Sequence, residues 1–158
     1  MRFAIRPWQT AVKRKTERPA RRSVVARLLD ANQHRHTRRM FSKEILDHFK
    51  DPRNAGELAD ASASVEVSNP VCGDVLRIGV RVEEGRIAEA RFLCRGCTTS
   101  IACASRLTEL LTGKRVNELS EITVEAVAAS FGELPPETIH GAHLAADAVQ
   151  ALLAKLRA

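Results

Sequence analysis

The sequence predicts an α+β domain: a three-stranded antiparallel sheet with helices packed on one face. Three patterns point there. Between residues 62 and 94 apolar side chains recur at every second position, the period of a half-buried strand. From Cys97 onward the spacing lengthens to three and four, the period of a helix that buries one stripe. The order is helix, three strands, then helices, which suits a sheet covered on one side better than alternating βαβ units.

Each element has a local cause. Ser42 precedes Ile45, Leu46 and Phe49 at helical spacing, and Asp51-Pro52 ends the run, so a short helix capped by serine and stopped by proline is expected. Val65 and Val67 share one face of a first strand. Leu76, Ile78, Val80 and Val82 share a face of the second, with Arg77 and Arg81 pointing away. Glu84-Gly85 makes a turn, and Ala88, Ala90, Phe92 and Cys94 line up along the third strand. Cys103, Leu107, Leu110 and Leu111 form the stripe of the next helix, with Gly113 just past its end. Thr123 caps a helix carrying Val124, Val127, Ala128 and Phe131, and Gly132 closes it. Pro135-Pro136 enforces an extended connector. The last helix carries Ala145, Val149, Leu152, Leu153 and Leu156 on one face, with His143, Asp147 and Gln150 on its polar side. There is no internal repeat.

The chain has 158 residues, enough for one domain with a real core. No apolar run approaches the 18 or so residues of a membrane span, and cytoplasmic residence is expected. The net charge of +6 is unevenly divided. Residues 1–40 hold 12 Lys and Arg against Glu17 and Asp30, a net of +10, so the remainder carries −4. The division separates a basic leader, residues 1–39, from a mildly acidic domain, residues 40–158. The domain has no basic stripe with interleaved aromatics, which argues against nucleic-acid binding. The leader has too little apolar periodicity to offset its ordering entropy and is expected to be disordered. Met40 as the true start, an ordinary basic tail and a transit peptide are three readings of it, and none places chemistry there.

Four cysteines without a secretory signal read as metal ligands or reactive thiols before disulfides. Cys72 and Asp74 lie in Asn69-Pro70-Val71-Cys72-Gly73-Asp74, a turn before the second strand, and both are expected to project from a loop at the strand's edge. Cys97 follows Gly96 between a strand and a helix, where unpaired N–H groups and the positive end of the helix dipole favour the thiolate. His140 opens the last helix, 43 residues after Cys97. Three loops at element ends can therefore meet at one end of the sheet. Two thiolates, an imidazole and a carboxylate form a soft, mixed donor set suited to zinc, iron or an iron–sulfur cluster. Cys94, on the apolar face with Ala90 and Phe92, reads as a buried thiol, although its spacing to Cys97 keeps it a candidate ligand. His143 reads as solvated and Cys103 as core.

The residues from Met40 onward resemble the IscU/NifU-type iron–sulfur cluster assembly scaffolds. The likeness is carried by Phe41-Ser42-Lys43-Glu44-Ile45-Leu46-Asp47-His48-Phe49, Asp51-Pro52-Arg53-Asn54-Ala55-Gly56, Cys72-Gly73-Asp74, Arg95-Gly96-Cys97 with Ser100 and Ala102, Thr112-Gly113-Lys114, and Leu134-Pro135-Pro136 before His140. It implies an IscU/SufE-like fold and no enzymatic activity of the chain's own. It implies that iron and a transient [2Fe–2S] cluster are held through Cys72, Asp74, Cys97 and His140 and passed to acceptor proteins. A cysteine desulfurase would supply the sulfur. A zinc-bound sulfur-relay protein, accepting persulfide from such a desulfurase, is the alternative. Two departures stand out. Gly141 occupies the position of the family's third cysteine, and Cys94 or His143 is a candidate to compensate. Having no side chain, Gly141 is expected to admit a cysteine unless its backbone is left-handed. Glu137-Thr138 replaces the basic end of the Leu-Pro-Pro segment that a dedicated chaperone reads, which counts against that partner.

Overall fold

The structure is a computed structural model that describes residues 41–132 and 134–158. The basic leader, residues 1–39, lies outside the described residues. The elements run α1 (Lys43–Lys50), β1 (Ala63–Asn69), β2 (Asp74–Glu83), β3 (Arg86–Arg95), α2 (Thr98–Leu111), a 3-10 turn (Val116–Glu121), α3 (Val124–Ala129), a second 3-10 turn (Pro136–Thr138) and α4 (His140–Arg157). The sheet has the order β1-β2-β3 and both pairings are antiparallel. This is the expected α+β meander with helices.

Strand alternation sorts the sheet into two faces. Val65 faces Ile78 and Val67 faces Leu76 across β1 and β2, while Ile78 faces Phe92 and Leu76 faces Cys94 across β2 and β3. That face meets α2 and α4 and forms the core with Leu107, Leu111, Leu144, Val149 and Leu152. The other face carries Arg77, Gly79, Arg81 and Arg91. The segment before β1 crosses it, with Arg77 paired to Glu57 at 3.0 Å and Arg81 to Asp60 at 3.1 Å. Such exposed pairs contribute little to stability, so the position of that segment rests more on its backbone bond from Gly56 N to Phe92 O.

Two details depart from simple periodicity. A β-bulge interrupts the pairing beside Arg81 and Val82: Arg81 pairs with Glu89 and Val82 with Ile87, which leaves Ala88 unpaired. Ile87 rather than Ala88 is therefore buried. The two-residue turn Glu84-Gly85 has both residues at positive φ, as a tight hairpin between right-twisted strands requires. In α1, Ser42 accepts a bond from Ile45 N as the N-cap. The residue that turns inward with Ile45 is His48, and Phe49 is exposed. His48 Nδ1 lies 2.9 Å from Ser105 Oγ, and its ring packs edge-on against Phe131. A polar partner on α2 thus lets an imidazole occupy a place where hydrophobicity alone favours phenylalanine.

The remaining helices agree with their sequence signals. Thr123 accepts from Ala126 N as the cap of α3, and Phe131 is buried beyond its end. Only Pro135 is extended; Pro136 opens a single 3-10 turn, because proline suits the first position of a helical turn as well as an extended chain. Cys103 is fully buried, Cys94 packs against the core, and His143, Asp147 and Gln150 are exposed.

Candidate functional site

The site is built where β1, β2, β3, α2 and α4 end together. Asn69 and Asp74 are cross-strand partners, so Pro70-Val71-Cys72-Gly73 is a four-residue hairpin loop. Asn69 shapes the loop: its side chain accepts from Val71 N and its carbonyl accepts from Gly73 N. Gly73 takes a φ of +71°, which reverses the chain and leaves Cys72 exposed at the loop tip.

Asp74 does not project from the loop as expected. It is the first residue of β2 and only 6% exposed. A buried carboxylate needs donors, and the first turn of α2 provides them. Ser100, itself 1% exposed, donates its hydroxyl to Asp74 Oδ2. Burial works to raise the Asp74 pKa, yet the bonds from Ser100, Cys72 and the Cys97 backbone and thiol outweigh it and hold the carboxyl below its ordinary value. Gly96 makes this fit possible: a Cβ there would lie 2.7 Å from Asp74 Cγ.

Cys97 is the N-cap of α2. Its sulfur accepts from Ser100 N at 3.5 Å and lies 3.3 Å from Ser100 Oγ. It is exposed, so its thiol sits at the positive end of a fourteen-residue helix with access to solvent. Ser100 therefore touches both Cys97 and Asp74. Sequence reasoning placed it in a family motif but not in the site; its offset of three from the capping cysteine is the signal that could have found it.

His140 is exposed and opens α4. The residue after it seats α4 on α2. A Cβ added at Gly141 would lie 2.8 Å from both the carbonyl carbon and oxygen of Thr99, and 2.9 Å from Ser100 N. Gly141 is helical, not left-handed, so the expectation that it admits a cysteine fails for a different reason: the backbone of α2 already occupies the space. This contact places His140 next to the turn that holds Cys97 and Asp74.

The structure thus brings Cys72, Asp74 and Cys97 together and His140 beside them. Among the described residues, no three His, Cys, Asp or Glu side chains are gathered as they would be around a held ion. The other thiols are held neutral: burial, with the nearby Cys97 charge, pushes the pKa of both Cys94 and Cys103 up to about 12. No helix among the described residues is long and apolar enough to cross a membrane.

Comparison with known proteins shows the family and the fold. The family model described as NifU-like N terminal domain matches residues 40–158. The iron-sulfur cluster assembly scaffold protein IscU 1 of Archaeoglobus fulgidus is 42% identical over 111 residues, 70% of this chain and 72% of that protein. The scaffold protein IscU of Escherichia coli K12 is 38% identical over 118 residues, 72% of this chain and 91% of that protein. The crystal structure of the N-terminal part of a NifU-like protein from Brucella abortus superposes with a TM-score of 0.62 at 16% identity. It covers 77% of this chain and 96% of that one, and shares the fold. The chain belongs to the NifU-like N-terminal domain family.

Proposed function

We propose that residues 40–158 form a non-enzymatic scaffold for iron–sulfur cluster assembly. The cargo is iron and a transient [2Fe–2S] cluster, held by Cys72, Asp74, Cys97 and His140 and released to acceptor proteins. A cysteine desulfurase supplies the sulfur. The observation that carries this reading is the Asp74 carboxylate, buried in the first turn of α2 between the exposed thiols of Cys72 and Cys97. The relatives named as cluster assembly scaffolds support it.

The donor set explains transience. Thiolates and an imidazole bind iron well once the thiols have lost their protons. A carboxylate holds iron less firmly than a thiolate, and Ser100 and the Cys97 backbone compete for the same oxygens, so Asp74 is the ligand that lets go. The ligands come from a hairpin loop, one strand end and two helix starts. Cargo binding therefore ties the hairpin loop and the start of α4 to the β2–α2 junction that Ser100 and Asp74 already join. The same four donors suit a single zinc ion, which is the basis of the sulfur-relay alternative. The scaffold works in the cytoplasm, and Glu137 in the Leu-Pro-Pro segment argues against the dedicated chaperone as a partner.

Anaerobic incubation with ferrous iron, sulfide and a cysteine desulfurase tests the reading. The expected result is a visible iron–thiolate spectrum that is lost on adding an acceptor protein. Stoichiometric zinc with no cluster spectrum would favour the sulfur relay. Neither metal nor cluster would leave a metal-free interaction module.

A further inference from the structure

We propose that Gly141 sets the number of thiolates at this site. It gives up the third thiolate for direct contact between α4 and α2, so that the chain holds its cargo through two sulfurs only, Cys72 and Cys97. The cargo half of this proposal rests on the scaffold reading; the packing half does not.

Glycine in the first turn of a helix is unfavourable relative to alanine, since it loses more conformational freedom on folding. Its presence in α4 calls for a compensating contact, and the structure supplies one. The buried residues of α4 near this end include the small Gly141, Ala142 and Ala145 beside Leu144, and those of α2 include Thr99, Ser100, Ala102 and Cys103. The two helices pack against each other, and Gly141 meets Thr99 and Ser100. Any side chain at 141 starts with a Cβ 2.8 Å from Thr99 backbone atoms. Ordinary contact begins near 3.4 Å, so the helix ends would have to separate by about 0.6 Å. Backbone cannot rotate aside as a side chain can. The displacement would also reach Ser100, whose hydroxyl holds Asp74 and whose N–H is bonded to Cys97. A cysteine at 141 would then loosen two ligands in order to add one. Of the remaining thiols, Cys103 is buried in the core and Cys94 is half-buried against it.

The test uses the full chain and three variants: Gly141→Ala, Gly141→Cys and, as a control on the exposed side of α4, His143→Cys. Two readouts are taken: the melting temperature of the metal-free protein, and the number of thiols that saturating Zn2+ protects from alkylation beyond those already spared in the metal-free protein. Helix propensity alone predicts that Gly141→Ala melts higher than the parent. The proposal predicts the opposite sign, a melting temperature lower by roughly 5–15 °C in Gly141→Ala and Gly141→Cys, with His143→Cys unchanged. It also predicts two protected thiols in the parent, and no third in Gly141→Cys where that variant folds. Failure of Gly141→Cys to fold supports the packing half, and Gly141→Ala keeps that half refutable. Gly141→Ala melting at or above the parent overturns the proposal. So does Gly141→Cys with parental stability and three protected thiols. Zinc that protects no thiol in the parent overturns the two-thiolate half, while the melts still decide the packing half.

Discussion

Removing the Ser100 hydroxyl, as Ser100→Ala, tests the arrangement around Asp74. In the parent that hydroxyl is buried and donates to a carboxylate that is itself nearly inaccessible. A hydrogen bond to a buried charge is worth about 1.5–3 kcal/mol, and removing the donor leaves the acceptor short of a partner. Alanine recovers about 0.5 kcal/mol through helix propensity at this position of α2. The expected net loss at pH 7 is therefore about 1–2.5 kcal/mol, a fall in melting temperature of roughly 4–10 °C for a domain of this size. The pH dependence identifies the cause. Asp74 has a lowered pKa in the folded state, so its contribution is present above the ordinary value of 3.8 and is lost as pH falls below that value. The gap between Ser100→Ala and parent should therefore narrow as the carboxyl is protonated. Thermal melts by circular dichroism at pH 7 and in the acid range measure both effects, and the double variant with Asp74→Asn should show coupling. A Ser100→Ala melt within about 1 °C of the parent at pH 7, or no coupling to Asp74, would show that the hydroxyl does not support the carboxylate.

Three further outcomes follow from the same structure. Asp74→Ala should retain a reconstituted cluster longer than the parent and transfer it more slowly, as absorbance decay with an acceptor present would show; an unchanged or shorter lifetime removes Asp74 from the ligand set. His48 has a pKa below its ordinary 6.5 because burial, with the Arg53 and Arg106 charges, outweighs Glu109 and Asp47. The unfolded chain therefore takes up the proton first, so stability should fall as pH drops below about 6.5; His48→Gln should flatten melting temperature against pH between 7.5 and about 5.5, and an unaltered slope would exclude His48 as the cause. Iodoacetamide at pH 8 should label Cys72 and Cys97 in the native protein and spare Cys94 and Cys103 until denaturant is added, since burial pushes both of the latter up to about 12; rapid native labelling of Cys94, read by mass spectrometry, would contradict its place against the core.

Local patterns carried most of the fold. Alternation placed the strands, and Ser42 and Thr123 marked helix starts, because each depends on residues within one turn of itself. Where an element depended on a distant partner, the local pattern misled. Ala88 continues the alternation of β3, but the bulge opposite Arg81 and Val82 puts Ile87 inside. Phe49 has the hydrophobicity of an inward residue, but Ser105, distant in sequence, favours His48. The site divides in the same way. Cys72, Asp74, Cys97 and His140 were legible as candidate donors by their chemistry and their places at element ends. The burial of Asp74 was not, because it depends on Ser100 and on the absence of a side chain at Gly96. The role of Gly141 was not legible either, because sequence carries no record of how closely two helices approach.

On the proposed reading this chain holds its cargo through Cys72 and Cys97 and not through a third thiolate of its own. Iron and sulfide content after anaerobic reconstitution, compared across Cys72→Ser, Cys97→Ser and Cys94→Ser, tests it most directly. The account predicts parental content in Cys94→Ser and loss of cargo in each of the other two. Loss in Cys94→Ser, with folding intact, would show that Cys94 turns out of the core to bind and would contradict the account.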